Sequence, residues 1–474
     1  MNQRDASPTS GPSHGLARVG YRLPAWRREA LRTTLWLVPT ILVTAAVLLF
    51  AITLELDQLV YHHHVQLPHW VVTGSADAGR QVLIAIAAAV ITVVGVVFSI
   101  TILALTLASQ QFGPRMMRNF VRDVGNQVTL GVWVGTFVYA VLVLVAIAGP
   151  PGLFVPHISI TVAEGLLLVD VAVLIYFIHH IAKSIQLPEV IASIARDLMR
   201  AIDAEFPIRQ DGYPVTGAGE TGGAGETGRS LEELLALLNE GGQPISAHRS
   251  GYLQFVGYDE LVGIAQEAGA VIQLSHRPGH FIVAGRPLAM VWPSDATGPV
   301  GKALDGAHVV GPHRTLMQDP VFAIDQLVEI AIRALSPAVN DTFTALTCID
   351  WLSAGLCQIS ARPLVEGVYR DRLGAVRLIE FDPSYKRMVD RAFDKIRQAS
   401  RNMPAVAIRL MDSIARIMES TVGPDQRQIL LRQADMILRA AEEEVAEELD
   451  LEDIRRRHRE VTAIAVVKAD SNLS

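Results

Sequence analysis

Long apolar runs alternate with short polar segments in the amino-terminal part of the chain. The runs cover residues 34–54, 82–107, 128–148 and 158–181. Each has at least the roughly 20 residues that a helix rising ~1.5 Å per residue needs to cross ~30 Å of hydrocarbon. The pattern therefore predicts a polytopic membrane protein with four transmembrane helices.

Beyond residue 187 the apolar positions recur at helical or alternating spacing, which is typical of a folded domain outside the membrane. We therefore expect a mostly α fold: four transmembrane helices and a cytoplasmic α+β domain, made of a small β-barrel-like module and a helical bundle. The expected divisions are a basic cytoplasmic segment (1–33), the transmembrane domain (34–187), a juxtamembrane helix (188–208), a flexible Gly-rich linker (209–229), a mixed α/β module (230–312) and a helical cytoplasmic domain (313–474).

The mixed module begins with a helix that Ser230 and Glu233 cap as a capping box. Short strands follow, separated by turns at Arg277-Pro278-Gly279 and Gly285-Arg286-Pro287. The segment "RPGHFIVAGRPLAMVW" resembles the sequences of small barrel domains that carry biotin or lipoyl groups, but no Lys stands at a hairpin tip. We therefore expect a structural barrel without a cofactor.

Helix-capping residues mark the start of the helical domain. Asp319 is placed to cap a helix whose first position is Pro320, and that helix should stop before a second proline. The junction that follows contains polar residues suited to binding a ligand at a helix amino terminus, although capping alone also explains them. These junction residues are Ser336, Pro337, Asn340 and Asp341.

Basic residues lie mostly in the amino-terminal segment, in the loop between the second and third spans, and after the fourth span. Because positive flanks are retained in the cytoplasm, both termini should be cytoplasmic. The formal net charge is -7, which argues against a nucleic-acid partner, since such a partner requires clustered Lys and Arg. The two cysteines, Cys348 and Cys357, are expected to be core residues.

Three long sequence segments resemble those of one protein family. They are "FSITILALTLASQQFGPRMMRNFVRDVGNQVTLG" from Phe98, "FIHHIAKSIQ" from Phe177 and "DQLVEIAIRALSPAVNDTFTA" from Asp325. Together they resemble the bacterial membrane proteins grouped as domain of unknown function 2254. The resemblance implies an integral protein of the bacterial inner membrane and leaves its activity open.

The second span carries a polar stripe. Its members share one helix face because they are seven, seven and four residues apart. In a homo-oligomer this stripe would line a water-filled path, and the alternative is that its small residues let the helix pack closely against its neighbours. The stripe consists of Thr92, Ser99, Thr106 and Gln110. The residues expected at the cytoplasmic mouth of such a path are Arg115, Arg118, His179 and His180.

The fourth span carries two acidic residues, Asp170 near its centre and Glu164 nearer the outside. An ionised carboxylate at mid-membrane costs roughly 2.5–3.5 kcal/mol on insertion scales, so it normally faces protein or water. Asp170 with Glu164 is therefore a candidate proton or cation site, with a hydrogen-bonded structural carboxyl as the alternative.

Histidines form a further candidate site in the first outer loop. His62, His64 and His69 stand near Asp57 and are weak candidates for a transition-metal site. Consecutive histidines cannot all face one ion from regular structure, so we expect no metal.

No nucleophile and base can be assembled from sequence spacing, and no phosphate-binding loop occurs, so enzyme activity is not expected. Two functional classes remain. The favoured one is an oligomeric ion channel or transporter with a cytoplasmic assembly or gating domain. The alternative is a membrane-anchored sensor or scaffold that presents a cytoplasmic surface to a protein partner.

Overall fold

The computed structural model describes residues 36–63, 71, 74–112, 124–147, 154–184, 186–206, 229–362, 367–380 and 385–471. The chain is mostly helical within these residues. Four helices come first: α1 (Leu37–His63), α2 (Ala76–Phe112), α3 (Val124–Ile147) and α4 (His157–Ser184). All four are long and apolar enough to cross a membrane, as the hydropathy pattern predicts.

Helix α3 is the central helix of this group and packs against α1, α2 and α4. Small residues bring α1 close to it. A Cβ atom on Gly131 would lie 2.6 Å from Leu42 Cδ1 and 3.0 Å from the Cα of Pro39. A larger residue at this position would therefore force α1 and α3 apart.

A carboxylate joins the end of α1 to the start of α4. Asp57 Oδ1 accepts a hydrogen bond from the Ile158 backbone N–H at 2.8 Å, and Oδ2 accepts two from Ser159, from N–H at 2.9 Å and from Oγ at 2.7 Å. The first N–H groups of a helix have no partner inside the helix, so Asp57 satisfies them. This buried contact fixes the relative position of the two helices.

The remaining elements form the carboxyl-terminal half, residues 186–471. The helices are α5 (Leu187–Glu205), α6 (Leu231–Gly241), α7 (Tyr258–Glu267), α8 (Thr297–Ala307), α9 (Pro320–Ala334), α10 (Thr342–Ser360), α11 (Tyr385–Ala399), α12 (Pro404–Glu419), α13 (Pro424–Glu444) and α14 (Glu448–Ser471). The strands are β1 (Gln243–Ser246), β2 (Gly251–Val256), β3 (Val271–Leu274), β4 (Phe281–Ile282), β5 (Pro287–Trp292), β6 (His308–Gly311), β7 (Val368–Arg370) and β8 (Val376–Ile379).

The strands form two open sheets within the described residues, so the barrel-like module expected from the sequence is not found. One sheet has the order β1-β5-β3-β8-β7, and the other has the order β4-β2-β6. Strand β8 pairs in parallel with β3 through Ile272 and Leu378, whereas the other pairs are antiparallel. The sheet therefore takes its fourth and fifth strands from beyond α10, and this pairing leaves it open.

Helix α5 connects the membrane helices to this half and packs against α9 and α10. Ile194 and Leu198 are buried in the same core as α9 and α10. A Cβ atom on Gly355 of α10 would lie 2.7 Å from Leu198 Cδ2. The absence of a side chain at Gly355 thus lets α5 and α10 approach closely.

Arg362 holds the end of α5. Its Nη1 donates to the carbonyl oxygens of Ile202 at 3.0 Å and Phe206 at 2.6 Å, and its Nη2 pairs with Asp203. The last carbonyls of a helix lack intrahelical partners, and a cation is favoured there by the helix dipole. Arg362 is itself only 6% exposed, so it ties the juxtamembrane helix to the segment after α10.

Candidate functional site

A loop between β3 and β4 is pressed against the start of α9. Gly279 in this loop has φ +90°, and a Cβ atom there would lie 2.1 Å from Asp319 Oδ2. Asp319 is the cap that the sequence predicts, since its Oδ1 accepts a hydrogen bond from the Phe322 N–H at 3.1 Å. Glycine at position 279 therefore allows the loop to reach the capping carboxylate.

The capping carboxylate also belongs to an ion-pair network. Arg314 donates to both oxygens of Asp319, from Nε at 2.7 Å and from Nη2 at 2.9 Å, and from Nη1 to Asp325 at 2.7 Å. Burial alone would lower the pKa of Arg314, but these carboxylates raise it overall. Arg391 adds a contact of 3.2 Å to Asp325. Both carboxylates are thus neutralised by arginines.

A cavity of about 920 Å³ opens between this loop, α9 and α11. Its polar lining contains five cationic side chains and three carboxylates, a formal charge of +2. The cations are Arg277, Arg314, Arg387, Arg391 and Lys395, and the carboxylates are Asp319, Asp325 and Glu329. Its other lining residues include Tyr252, His276, His280, Phe281, His313, Val321, Phe322, Val328 and Ile332. We call this the basic cavity.

Within the described residues, three of the five cations form no close ion pair with a carboxylate, although Glu205 and Asp319 interact electrostatically with one of them, Arg277. These three cations are Arg277, Arg387 and Lys395. Arg277 is only 7% exposed, and its guanidinium makes no hydrogen bond to a described residue. The Nδ1 atom of His276 is also buried without a hydrogen bond. A buried polar atom without a hydrogen bond, such as His276 Nδ1, costs about 1–3 kcal/mol. The basic cavity therefore has cationic groups and a hydrogen-bonding group that are available to bind an anion.

The positive charges of the basic cavity repel one another, and this repulsion contributes to lowered pKa values of two of its groups. Burial, then the positive charges of Arg277 and Arg387, lower the pKa of His280 to about 4. Burial and the neighbouring guanidinium groups likewise lower the pKa of Arg387. Arg387 Nη1 donates to His280 Nε2 at 3.1 Å, which requires a neutral imidazole. A bound anion would relieve this repulsion.

An acidic cluster lies behind Arg277. Glu380 is buried and accepts hydrogen bonds from the hydroxyls of Tyr258 at 2.5 Å and Tyr369 at 3.0 Å. Glu205, at the end of α5, interacts electrostatically with Glu380, Arg277 and Asp319. Burial first, and then repulsion from Glu380, raise the pKa of Glu205 to about 8. Arg277 thus lines the basic cavity and also interacts electrostatically with a carboxyl group at the end of α5.

The raised pKa of Glu205 predicts a pH-dependent stability. Folded protein holds the Glu205 proton up to about pH 8, whereas the unfolded chain releases it near pH 4.3, so stability falls as the pH rises between these values. We expect Glu205→Gln, which cannot ionise, to lose less of its melting temperature than the wild type between about pH 6 and pH 9. The measurement is thermal unfolding of the full-length protein. Glu189→Gln, at the other end of α5, is the control, and parallel curves for wild type and Glu205→Gln would contradict the prediction.

Residues 32–416 match the family described as predicted membrane protein, domain of unknown function 2254. The chain belongs to this family. Uncharacterised proteins of Mycobacterium tuberculosis and Mycobacterium bovis are each 32% identical to it over 385 residues, which cover 80% of this chain and 71% of each relative. No solved structure matches. The family resemblance expected from the sequence is therefore confirmed.

In this family member the polar stripe of α2 is exposed. Thr92, Ser99 and Thr106 each donate a hydrogen bond to the carbonyl oxygen four residues earlier, at 2.7, 2.9 and 2.8 Å. The stripe therefore does not pack against α1, α3 or α4, so either function expected for it requires another molecule. Gln110 lies in the helix, but its side chain is outside the described residues, as are Arg115 and Arg118.

Asp170 is buried between α3 and α4. Its Oδ1 accepts a hydrogen bond from Thr136 Oγ1 at 3.1 Å, and its backbone oxygen accepts one from Trp133 Nε1 at 3.3 Å. Oδ2 is buried without a hydrogen bond within the described residues. Glu164 is half-buried on the same helix. Asp170 thus remains a candidate proton or cation site.

The other predicted site residues are dispersed. His179 is exposed at the end of α4, and His180 stacks on Tyr176 with ring centroids 5.4 Å apart. His62 is exposed, whereas His64 and His69 lie outside the described residues. Among the residues that the structure describes, no three His, Cys, Asp or Glu side chains could hold a metal ion.

The junction after α9 uses its polar groups internally. Asp341 caps α10, accepting from Thr344 N–H at 3.1 Å, and its pKa is lowered mainly by the Thr344 hydroxyl. Ser336 Oγ donates to the carbonyl oxygen of Arg333 at 2.7 Å, and Asn340 adopts φ 51°. Pro337 follows the end of α9. These contacts account for the residue types without a ligand.

Proposed function

We propose that this protein is a membrane-anchored receptor whose carboxyl-terminal half binds a soluble anionic ligand in the basic cavity. The observation that carries the proposal is the buried Arg277, which has no hydrogen-bond partner in the described residues and lines a cavity with a positive excess. A receptor corresponds to the sensor class expected from the sequence.

Ligand binding in the basic cavity would affect the membrane helices through α5. An anion on Arg277 would offset the positive charge that lowers the pKa of Glu205 on α5, so it would favour the neutral form of that carboxyl group and alter its contacts. Helix α4 ends at Ser184 and α5 begins at Leu187, and Arg362 fixes the far end of α5. A displacement of Glu205 would therefore act on a helix anchored at both ends, which supports transmission rather than local adjustment.

The proposal places the protein in the bacterial inner membrane with the termini and the basic cavity in the cytoplasm. That orientation is supported by the basic residues flanking the spans, which are retained on the cytoplasmic side. A homo-oligomer is supported by the exposed hydroxyl stripe of α2. We also propose a protein partner on the cytoplasmic side of the membrane and no nucleic-acid partner.

The test is calorimetric titration of the full-length protein in nanodiscs with inorganic pyrophosphate as the probe. A charge-assisted hydrogen bond contributes about 1.5–3 kcal/mol, so Arg277→Gln should weaken binding roughly 10- to 150-fold. Arg409→Gln is the control, because Arg409 pairs with Asp350 outside the cavity. Absence of binding to the wild type, or equal binding by Arg277→Gln, would refute the receptor.

A second candidate function is an ion channel or transporter. It is supported by the exposed stripe of Thr92, Ser99 and Thr106, which a symmetric oligomer could direct toward a shared axis. Asp170 would then serve as a proton or cation site beside that path. Unitary currents from the purified protein in planar bilayers would support a channel, and a silent bilayer under ionic gradients would count against one.

A further inference from the structure

The basic cavity is larger than a simple anion requires. Small-molecule sites span roughly 300–1,000 Å³, and a cavity of about 920 Å³ lies near the upper end of that range. An inorganic phosphate or pyrophosphate would fill only part of it. The remaining space is bordered by aromatic and aliphatic groups, which points to a ligand with an uncharged portion.

The charged part of the lining suits a polyphosphate. Arg387, Arg391 and Lys395 are four residues apart on α11, so they lie along one helix face. Arg277 approaches from the loop between β3 and β4. Arg277, Arg387 and Lys395, which form no close ion pair with a described carboxylate, are the cations available to phosphate oxygens of a nucleoside diphosphate. Guanidinium groups bind phosphate oxygens with matched geometry.

The aromatic part of the lining suits a planar ring. Phe281 and Tyr252 both line the basic cavity and meet edge to face, with ring centroids 5.1 Å apart. Phe281 is nevertheless 53% exposed, although a large apolar ring normally gains free energy from burial. Phe281 lines the same cavity as Arg277 and Arg387, so its ring borders the space that holds the charged groups. A base stacked on Phe281 would cover the exposed ring.

We infer that the ligand is a nucleotide carrying at least two phosphoryl groups, an inference that rests on the proposed function. The phosphates bind Arg277, Arg387 and Lys395. The base stacks on Phe281 beside Tyr252. The unpaired Nδ1 of His276 supplies one further hydrogen bond from the wall of the cavity.

The experiment compares ADP, GDP and inorganic pyrophosphate by calorimetric titration of the full-length protein in phosphatidylcholine nanodiscs. Stacking of one base is worth roughly a 5- to 150-fold gain in affinity, so at least one nucleotide should bind that much more tightly than pyrophosphate. Phe281→Ala should remove this advantage and leave pyrophosphate binding unchanged. Phe343→Ala is the matched control, because Phe343 is 83% exposed and lies outside the cavity.

The outcomes separate the two proposals. Equal affinities for nucleotide and pyrophosphate, with Phe281→Ala changing neither, would overturn the nucleotide and leave the anion receptor standing. Binding of none of the three probes would overturn both. A phospholipid headgroup offers the same phosphate chemistry, so the titration is repeated in nanodiscs containing phosphatidylglycerol. Loss of nucleotide binding there would assign the cavity to a headgroup and overturn the soluble nucleotide, whereas unchanged binding would support it.

Discussion

Gly279→Ala is expected to destabilise the carboxyl-terminal half by roughly 3–5 kcal/mol, the range observed when a buried ion pair is broken. The added Cβ would lie 2.1 Å from Asp319 Oδ2, so Asp319 must leave its position. That movement removes the cap of α9 and both hydrogen bonds that Arg314 makes to Asp319. The measurement is the melting temperature of the full-length protein.

Gly285→Ala is the matched control for this change. Gly285 also has a positive φ, +79°, but a Cβ atom there would meet nothing within 4 Å. Gly285→Ala should therefore lower the free energy of unfolding by only about 1–2 kcal/mol, which is the cost of placing an L-residue in the left-handed region. Equal losses from the two substitutions would show that the contact with Asp319 does not control stability.

Arg362→Ala is expected to produce the second large effect. It would leave the carbonyl oxygens of Ile202 and Phe206 without their charged donor, and each buried unsatisfied group costs about 1–3 kcal/mol. The end of α5 should then fray. Hydrogen exchange in residues 199–206 should accelerate, and the melting temperature of the full-length protein should fall.

Gln358→Ala provides the comparison for Arg362→Ala. Gln358 Nε2 donates to Asp203 at 2.7 Å, but this contact is exposed to solvent. Exposed contacts contribute little, so this variant should keep both its stability and the protection of α5. If Arg362→Ala kept the same stability and the same hydrogen-exchange protection as Gln358→Ala, apolar packing alone would account for the position of α5.

The membrane helices were predictable because a long apolar run has few alternative structures. The helix ends were less so. The first run ends at residue 54, whereas α1 continues to His63. Asp57 lies beyond the apolar run, yet its carboxylate is buried against the first turn of α4. Hydropathy cannot identify a polar residue that a distant helix terminus will satisfy.

Local signals in the carboxyl-terminal half were equally informative. The capping box at Ser230 and the cap at Asp319 are confirmed. Either Asn340 or Asp341 could cap the next helix, and Asp341 is the residue that does so. The barrel expectation failed because turn residues indicate strands but not their partners, and β3 pairs with a strand from beyond α10.

The basic cavity was missed for a related reason. Its lining comes from β2, the β3–β4 loop, the segment from His313 through α9, and α11, which are separated in the sequence. One signal was available: Arg387, Arg391 and Lys395 recur every four residues on a helix. Such spacing is usual for a solvated face, so only the approach of Arg277 distinguishes a site from a surface.

The pairing of β3 with β8 has a consequence for how the protein is made. While the chain is being synthesised, β3 is complete long before its parallel neighbour leaves the ribosome, and one edge of β3 stays unpaired during that interval. A fragment that stops at residue 312 would retain this open edge permanently. Open edges recruit strands from other chains, so such fragments should aggregate, and attempts to dissect the protein should keep residues 368–379 with the sheet.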